Sequence, residues 1–242
     1  MSSGWFGGPR RGRRTCLYPC VVDAALLDMY DTVARTRWHE LSDRIAGELD
    51  VDLEALYRAY NLTRDDRSVG AFDGQEGDMA AIVEAAGFES SPELIGTLVA
   101  LERDFAETGI ELWEDSLPVV RDLRARGVKT ALVSNCSHST RGIVDRLGLT
   151  EAFDEVILSF EVGLRKPDAG IYREALRRLE VEPEHAVFVD DQQEYCDGAA
   201  AIGIGTFLID RSGLIDRSSG ATADGNGPRV IGDLRALLSV DA

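Results

Sequence analysis

Residues 21–33 read Val-Val-Asp-Ala-Ala-Leu-Leu-Asp-Met-Tyr-Asp-Thr-Val, and their pattern decides the fold. The apolar run Ala24–Leu27 stops at Asp28, and a polar turn with Asp31 and Thr32 follows. A short, uninterrupted apolar run marks a strand buried on both faces. A carboxylate at its end then stands on the edge where parallel sheets bind ligands. Taken alone, Asp28 equally suits the N-cap of a following helix. The rest of the chain separates these readings.

Downstream of Trp113 strands and helices alternate. A helix over Leu117–Arg126 is closed by Gly127, and a strand over Val128–Val133 runs into Ser134-Asn135-Cys136-Ser137. A helix over Thr140–Leu147 precedes a strand over Glu155–Phe160, and Lys166-Pro167 leads into a helix over Asp168–Leu179. A strand over Ala186–Val189 ends at Asp190-Asp191. A helix over Cys196–Ile202, a strand over Gly205–Ile209, a Gly/Ser/Asp loop over Asp210–Pro228 and a closing helix over Val230–Leu238 complete the chain. This alternation predicts an α/β fold with a doubly wound, mostly parallel sheet. Between Ala34 and Leu112 the spacing is helical throughout, over Ala34–Leu49, Leu53–Tyr60, Asp78–Ala86 and Pro92–Thr108, with a polar loop over Gly70–Gly77. The expected organisation is a basic tail (1–16), a core (17–33 and 113–242) and an all-helical cap (34–112) inserted after the first strand.

Composition narrows the function classes. The net charge is −17, so the body repels nucleic acid phosphates, and no basic stripe offsets it. Arg10, Arg11, Arg13 and Arg14 lie in a Gly/Ser/Arg tail with no apolar signal core behind them, and no stretch is long and apolar enough to span a bilayer. The expectation is a cytoplasmic monomer or homodimer without membrane or nucleic acid partners. Cys16, Cys20, Cys136 and Cys196 form no CxxC pair and are expected to be reduced thiols. Lys129 and Lys166 are the only lysines among 26 basic residues. An ammonium is a compact point charge that a guanidinium fork does not replace at a tight anion site, so Lys166 draws attention.

Four strands thus end in polar residues: Asp28 with Thr32, Ser134 with Asn135, Lys166 in the loop after a strand, and Asp190 with Asp191. A parallel sheet brings all four ends to one edge. There one carboxylate can attack an electrophile, a hydroxyl, an amide and an ammonium can hold an anion, and further carboxylates can hold a hard divalent ion. In this order the four segments resemble the motifs of the haloacid dehalogenase (HAD) superfamily of hydrolases, over nearly all of Leu17–Leu238. The resemblance implies that Asp28 is the nucleophile, that Thr32, Ser134, Asn135 and Lys166 hold the substrate anion, and that Asp190 and Asp191 bind Mg²⁺ together with Asp28 and the Tyr30 carbonyl. Asp23 is the rival nucleophile, but it lacks a Thr four positions on and Ala-Ala-Leu-Leu follows it.

Two departures matter. Phosphatase members of the superfamily carry a second Asp two residues after the nucleophile, as general acid and base; here that residue is Tyr30. A Tyr resembles the dehalogenases proper, in which Asp attacks carbon without a metal. Arg58, in Leu56-Tyr57-Arg58, lies about where those enzymes carry a halide-receiving Arg, and it equally suits a solvated helix face. Asp190-Asp191 points the other way, towards a metal. No Lys precedes residue 129, which excludes a Schiff-base mechanism from the cap. The expectation is therefore a hydrolase of a small anionic substrate through a covalent Asp28 intermediate, foremost Mg²⁺-dependent phosphomonoester hydrolysis. Metal-independent 2-haloacid dehalogenation and a catalytically weak binding protein are the alternatives. Arg58, Arg64, Arg67 and Trp113 are the candidates for substrate selection.

Overall fold

The computed structural model describes residues 22–213 and 228–240. The basic tail expected over residues 1–16, with Cys16 and Cys20 near it, lies outside the described residues.

Strand β1 (Ala24–Leu27) is buried along its whole length. After β2 (Ala34–Thr36) the chain forms four helices: α1 (Trp38–Leu49), α2 (Leu53–Ser68), α3 (Gly74–Ala85) and α4 (Pro92–Thr108). It returns through β3 (Ile110–Leu112) to α5 (Ser116–Ala125) and β4 (Lys129–Ser134). Then follow α6 (Thr140–Arg146), α7 (Leu149–Ala152), β5 (Glu155–Leu158), α8 (Ser159–Val162) and α9 (Ala169–Leu179). Strand β6 (Ala186–Asp190), α10 (Gln193–Ala200), β7 (Gly205–Ile209), β8 (Arg229–Ile231) and a 3₁₀ turn over Leu234–Ser239 end the described chain.

Six strands make one parallel sheet in the order β5-β4-β1-β6-β7-β8. From β1 the chain winds outward through β4 and β5 on one side and through β6, β7 and β8 on the other. The strand order therefore reverses at β1, and the crevice beyond its C-terminal end is where such sheets bind ligands. The register pairs Leu27 with Leu132 and with Val189, which sets Asp28 level with Asp190. Alternate residues of β1 enter opposite apolar layers. Ala24 and Leu26 pack with Tyr172, Leu176 and Phe188, whereas Ala25 and Leu27 pack with Val119, Leu123 and Val187.

The four-helix insert is built by ordinary local rules. Asp52 caps α2 by accepting from the Ala55 N–H at 2.7 Å. Ser91 caps α4 in the same way from Leu94 at 3.2 Å, with Pro92 opening the helix. The insert meets the core closely at Gly70, where φ is +69° and a Cβ would lie 2.3 Å from the Phe160 carbonyl oxygen.

Several element boundaries differ from expectation. β2 and β3 pair antiparallel where the sequence shows no strand pattern, because three residues are too few to display alternation. The chain thus enters and leaves the insert through a two-stranded ribbon. Helix α2 continues beyond Tyr60 to Ser68, and α3 begins at Gly74 inside the expected polar loop. The strand expected over Glu155–Phe160 turns into α8 after Leu158. The closing helix expected over Val230–Leu238 is instead β8 followed by the 3₁₀ turn. No described helix is long and apolar enough to cross a membrane.

Candidate active site

Asp28 follows the last residue of β1, Ser134 ends β4 and Asp190 ends β6, so three adjacent strands present these side chains on one edge. The Asp28 amide donates to the Val189 carbonyl at 2.9 Å, which carries the sheet one residue further and fixes the carboxylate. Lys166 arrives from the loop before α9 and is fully buried. Its Nζ donates to Asp28 Oδ1 at 2.5 Å and to Asp190 Oδ2 at 2.6 Å. Gln192 N–H donates to the other Asp190 oxygen at 2.9 Å.

The Lys166 loop is held on two sides. Asn135 Nδ2 donates to the Lys166 carbonyl and Asn135 Oδ1 accepts from the Lys166 N–H, both at 2.8 Å. Asn135, expected to hold the substrate anion, here braces the lysine backbone with its amide oxygen and one amide hydrogen. On the other side Gly198 of α10 lies against Pro167, where a Cβ would come within 2.5 Å of the Pro167 carbonyl oxygen. Ser159 Oγ accepts from the Cys136 N–H at 2.9 Å and donates to the Cys136 carbonyl at 3.2 Å, bracing the loop behind Ser134.

Asp28, Asp190 and Asp191 each offer an oxygen, and these three atoms lie within 4.8 Å of one another. Burial raises the Asp28 carboxyl to about 8 against the pull of Lys166, with Asp190 and Asp191 adding to the rise. Burial, together with Asp190 and Asp31, raises Asp191 to about 7. Burial opposes the Lys166 ammonium, yet Asp190 and Asp28 outweigh it and the net shift is upward. Three clustered carboxyls share one ammonium and retain protons near neutral pH, and an all-oxygen donor set of this kind suits a hard divalent cation that would replace those protons.

Two buried hydroxyls stand beside the carboxylates without partners, Ser134 Oγ and Thr32 Oγ1. A buried hydroxyl without a hydrogen bond costs about 1–3 kcal/mol, a cost that a ligand supplying the bond would remove. The Thr32 carbonyl accepts from Arg211 at 2.6 and 3.2 Å. Arg211 also clamps Asp115 with two bonds of 2.9 Å, and the Leu234 N–H donates to the same carboxylate at 2.6 Å.

Tyr30 turns its ring to Trp38, 5.5 Å between centroids, and its hydroxyl meets Thr140 Oγ1 at 3.1 Å. Burial pushes its phenol further up, so the group stays protonated. It lines a cavity of about 460 Å³ between insert and core. Trp38, Tyr57 and Tyr60 give that cavity aromatic walls, and Arg64, Arg67 and Arg165 give it cationic ones. Asn135, Cys136 and Thr140 form the floor that joins it to the sheet edge.

Arg58 is not part of this wall. Its guanidinium, expected among the substrate ligands, pairs with Glu54 at 2.6 Å, and its side chain is 61% exposed, apart from the residues that line the cavity. Along α2, Tyr57, Tyr60, Asn61, Arg64, Arg67 and Ser68 face the cavity. That spacing is one helical stripe, and position 58 falls off it. Trp113 is also away from the cavity, stacked under Arg211 and Arg35 at 5.0 and 5.6 Å. Asp23 faces His185 in a half-exposed pair at 3.1 Å, outside the carboxylate cluster. Cys136 and Cys196 are buried free thiols, and burial raises both, which disfavours a reactive thiolate.

The sequence profile of the haloacid dehalogenase-like hydrolases matches residues 22–203. The chain belongs to the haloacid dehalogenase-like hydrolases. It is 30% identical to a glyceraldehyde 3-phosphate phosphatase of Methanopyrus kandleri over 202 residues, covering 79% of this chain and 85% of that protein. It is 34% identical to an (S)-2-haloacid dehalogenase of a Pseudomonas species over 103 residues, 42% of this chain and 45% of that one. A solved 2-haloacid dehalogenase from Pseudomonas syringae superposes with a TM-score of 0.65 at 22% identity, covering 91% of this chain and 98% of that one. A HAD phosphatase structure from Thermococcus onnurineus gives 0.62 at 20% identity, covering 91% and 99%. At these identities the structural likeness establishes the fold.

Proposed function

We propose that this HAD-like hydrolase cleaves phosphomonoesters through a covalent Asp28 intermediate and requires a divalent cation, foremost Mg²⁺. The observation that carries the reading is the Asp28–Asp190–Asp191 cluster, whose oxygens converge within 4.8 Å. Asp28, Asp190, Asp191 and the Tyr30 carbonyl would hold the cation. When bound, it would neutralise the phosphoryl charge and align the phosphorus on Asp28. Lys166 occupies Asp28 Oδ1, and Oδ2 has no protein partner among the described residues. One Asp28 oxygen attacks phosphorus, the ester P–O bond breaks, and the alcohol leaves. Ser134, Thr32 and Lys166 steady the phosphoryl oxygens. Water then attacks the aspartyl phosphate and releases inorganic phosphate.

The helical segment 34–112 acts as the cap that excludes water and selects the leaving group. Tyr30 replaces the usual acid/base carboxylate. A raised phenol does not serve as a base at neutral pH, so the departing alcohol takes its proton from water or leaves as a stabilised anion. Tyr30 is also the observation that favours the second reading, metal-independent attack of Asp28 on the carbon of a 2-haloacid. Phosphate and halide release from matched panels, with Mg²⁺ and with chelator, decide between them. Mg²⁺-dependent phosphate release lost in Asp28→Asn supports the first reading, and chelator-indifferent halide release supports the second.

A further inference from the structure

The cavity beside the sheet edge has a charge pattern that the hydrolytic residues do not use. In this acidic chain most cap arginines are tied to carboxylates: Arg44 to Asp104, Arg58 to Glu54 and Arg103 to Glu76. Arg64 and Arg67 make no ion pair among the described residues. Arg64 donates to the Tyr195 hydroxyl at 3.0 Å. Arg67 donates to Thr63 Oγ1 and to the Tyr60 carbonyl, each at 3.0 Å, and lies 5.0 Å above the Tyr60 ring. Both belong to the α2 stripe that lines the cavity. Across from them the buried Nε of Arg165 has no partner, although its NH1 pairs with Asp65. Among the described residues Glu102 is the one carboxylate in the lining; Gln75 Nε2 donates to it at 2.7 Å, and it forms no ion pair with either guanidinium. Two neighbouring guanidiniums that form no ion pair among the described residues, although Glu102 and Asp78 act on Arg67 from a distance, line a partly desolvated wall that suits a planar or tetrahedral anion. The reacting phosphate belongs with Lys166 and Ser134, so this anion is a second one.

We propose that Arg64 and Arg67 bind a second anionic group, a carboxylate or a phosphate, on the organic part of the substrate. The substrate is then a phosphomonoester of single-ring size bearing an anion remote from the reacting phosphate. The aromatic walls of Tyr57, Tyr60 and Trp38 pack its body, and about 460 Å³ is within the range of small-ligand pockets. The inference rests on the phosphatase reading, and its test is independent of turnover.

Unreactive phosphonates separate the two. Titration calorimetry in the presence of Mg²⁺ would compare phenylphosphonate, 4-carboxyphenylphosphonate and 1,4-phenylenebisphosphonate. The para-anion should tighten binding roughly tenfold or more in the wild type. The better of the two para-anions identifies which group the subsite takes. That preference should fall to near unity in Arg64→Met/Arg67→Met, whose fold circular dichroism checks. Equal binding of all three phosphonates by the wild type, binding of none, or a preference retained in the folded variant would overturn the proposal. The comparison within the wild type stands even if the variant does not fold. Failure of the phosphatase reading has a different sign: no phosphate release from the corresponding esters while the phosphonate preference persists.

Discussion

Ser134, proposed to hold the substrate anion, leaves a polar group unsatisfied in the fold. Its hydroxyl is buried and unpartnered at the end of β4. Ser134→Ala removes an unsatisfied group, so the midpoint of denaturant unfolding should stay or rise slightly, while phosphatase turnover falls by roughly 10²-fold, the usual loss for one transition-state donor. Asp28 gives a pH prediction with a definite sign. Its folded pKa is raised to about 8 and that of Asp191 to about 7. The cation-free protein thus binds protons more tightly than the unfolded chain does. This contribution to stability is fully present below about pH 4 and is lost as pH rises through 7 to 8. A bound divalent cation replaces those protons, so the rise in Tm on adding Mg²⁺ should be larger at pH 8 than at pH 5.5, as differential scanning fluorimetry would read. Tyr30 sets a third expectation. Without a carboxylic acid to protonate the leaving group, kcat/KM should fall steeply from nitrophenyl to phenyl to alkyl phosphates, and Tyr30→Asp should flatten that dependence.

At the scale of elements, the clasp of Arg211, Asp115 and Thr32 ties the loop after β7 to the chain leaving the insert and to the turn after β1. The Arg211 and Asp115 side chains are 9% and 3% exposed. Asp115→Ala leaves a buried guanidinium uncompensated and should cost about 3–5 kcal/mol in urea denaturation. Glu111→Ala, which breaks the solvated pair with Arg35 across β2 and β3, should leave stability nearly unchanged. These elements also show what the sequence displays and what it hides. β1 and β6 are apolar runs, β4 carries the apolar run Ala131–Val133, and each stops at a polar residue, so Asp28, Ser134 and Asp190 could be assigned to one edge from the pattern alone. β2, β3 and β8 have three residues each, too few for a periodic signal. Helix α2 reads as amphipathic in more than one phase, because its polar residues outnumber its apolar ones. Only the position of the core beneath it tells the Arg64–Arg67 face from the Arg58 face. A stripe through Tyr57, Tyr60, Asn61 and Arg64 was the available signal, and it requires the helix to run past Tyr60. Asn135 stands where expected, but its bracing of Lys166 depends on a loop conformation that the sequence does not display.

For the whole molecule, the insert and the core are joined by polar contacts around the cavity. Asp78 Oδ2 on α3 accepts from the His138 N–H at 3.1 Å and meets His138 Nδ1 at 2.8 Å, and Arg64 reaches Tyr195 of α10. These contacts tie α3 to the loop after β4 and α2 to α10. The chain carries a net charge of −17, and the proposed substrate is an anion. Salt screening should therefore raise kcat/KM for a phosphomonoester between 20 and 150 mM NaCl at saturating Mg²⁺, with kcat little changed, a test made by steady-state kinetics of phosphate release. The proposed reaction at Asp28 depends on a divalent cation. The most direct measurement is phosphate release from 4-nitrophenyl phosphate by the wild type and by Asp28→Asn, each with Mg²⁺ and with chelator. Turnover confined to the wild type with Mg²⁺ is the predicted result. Turnover that survives in the variant, or that is indifferent to chelator, would contradict the account.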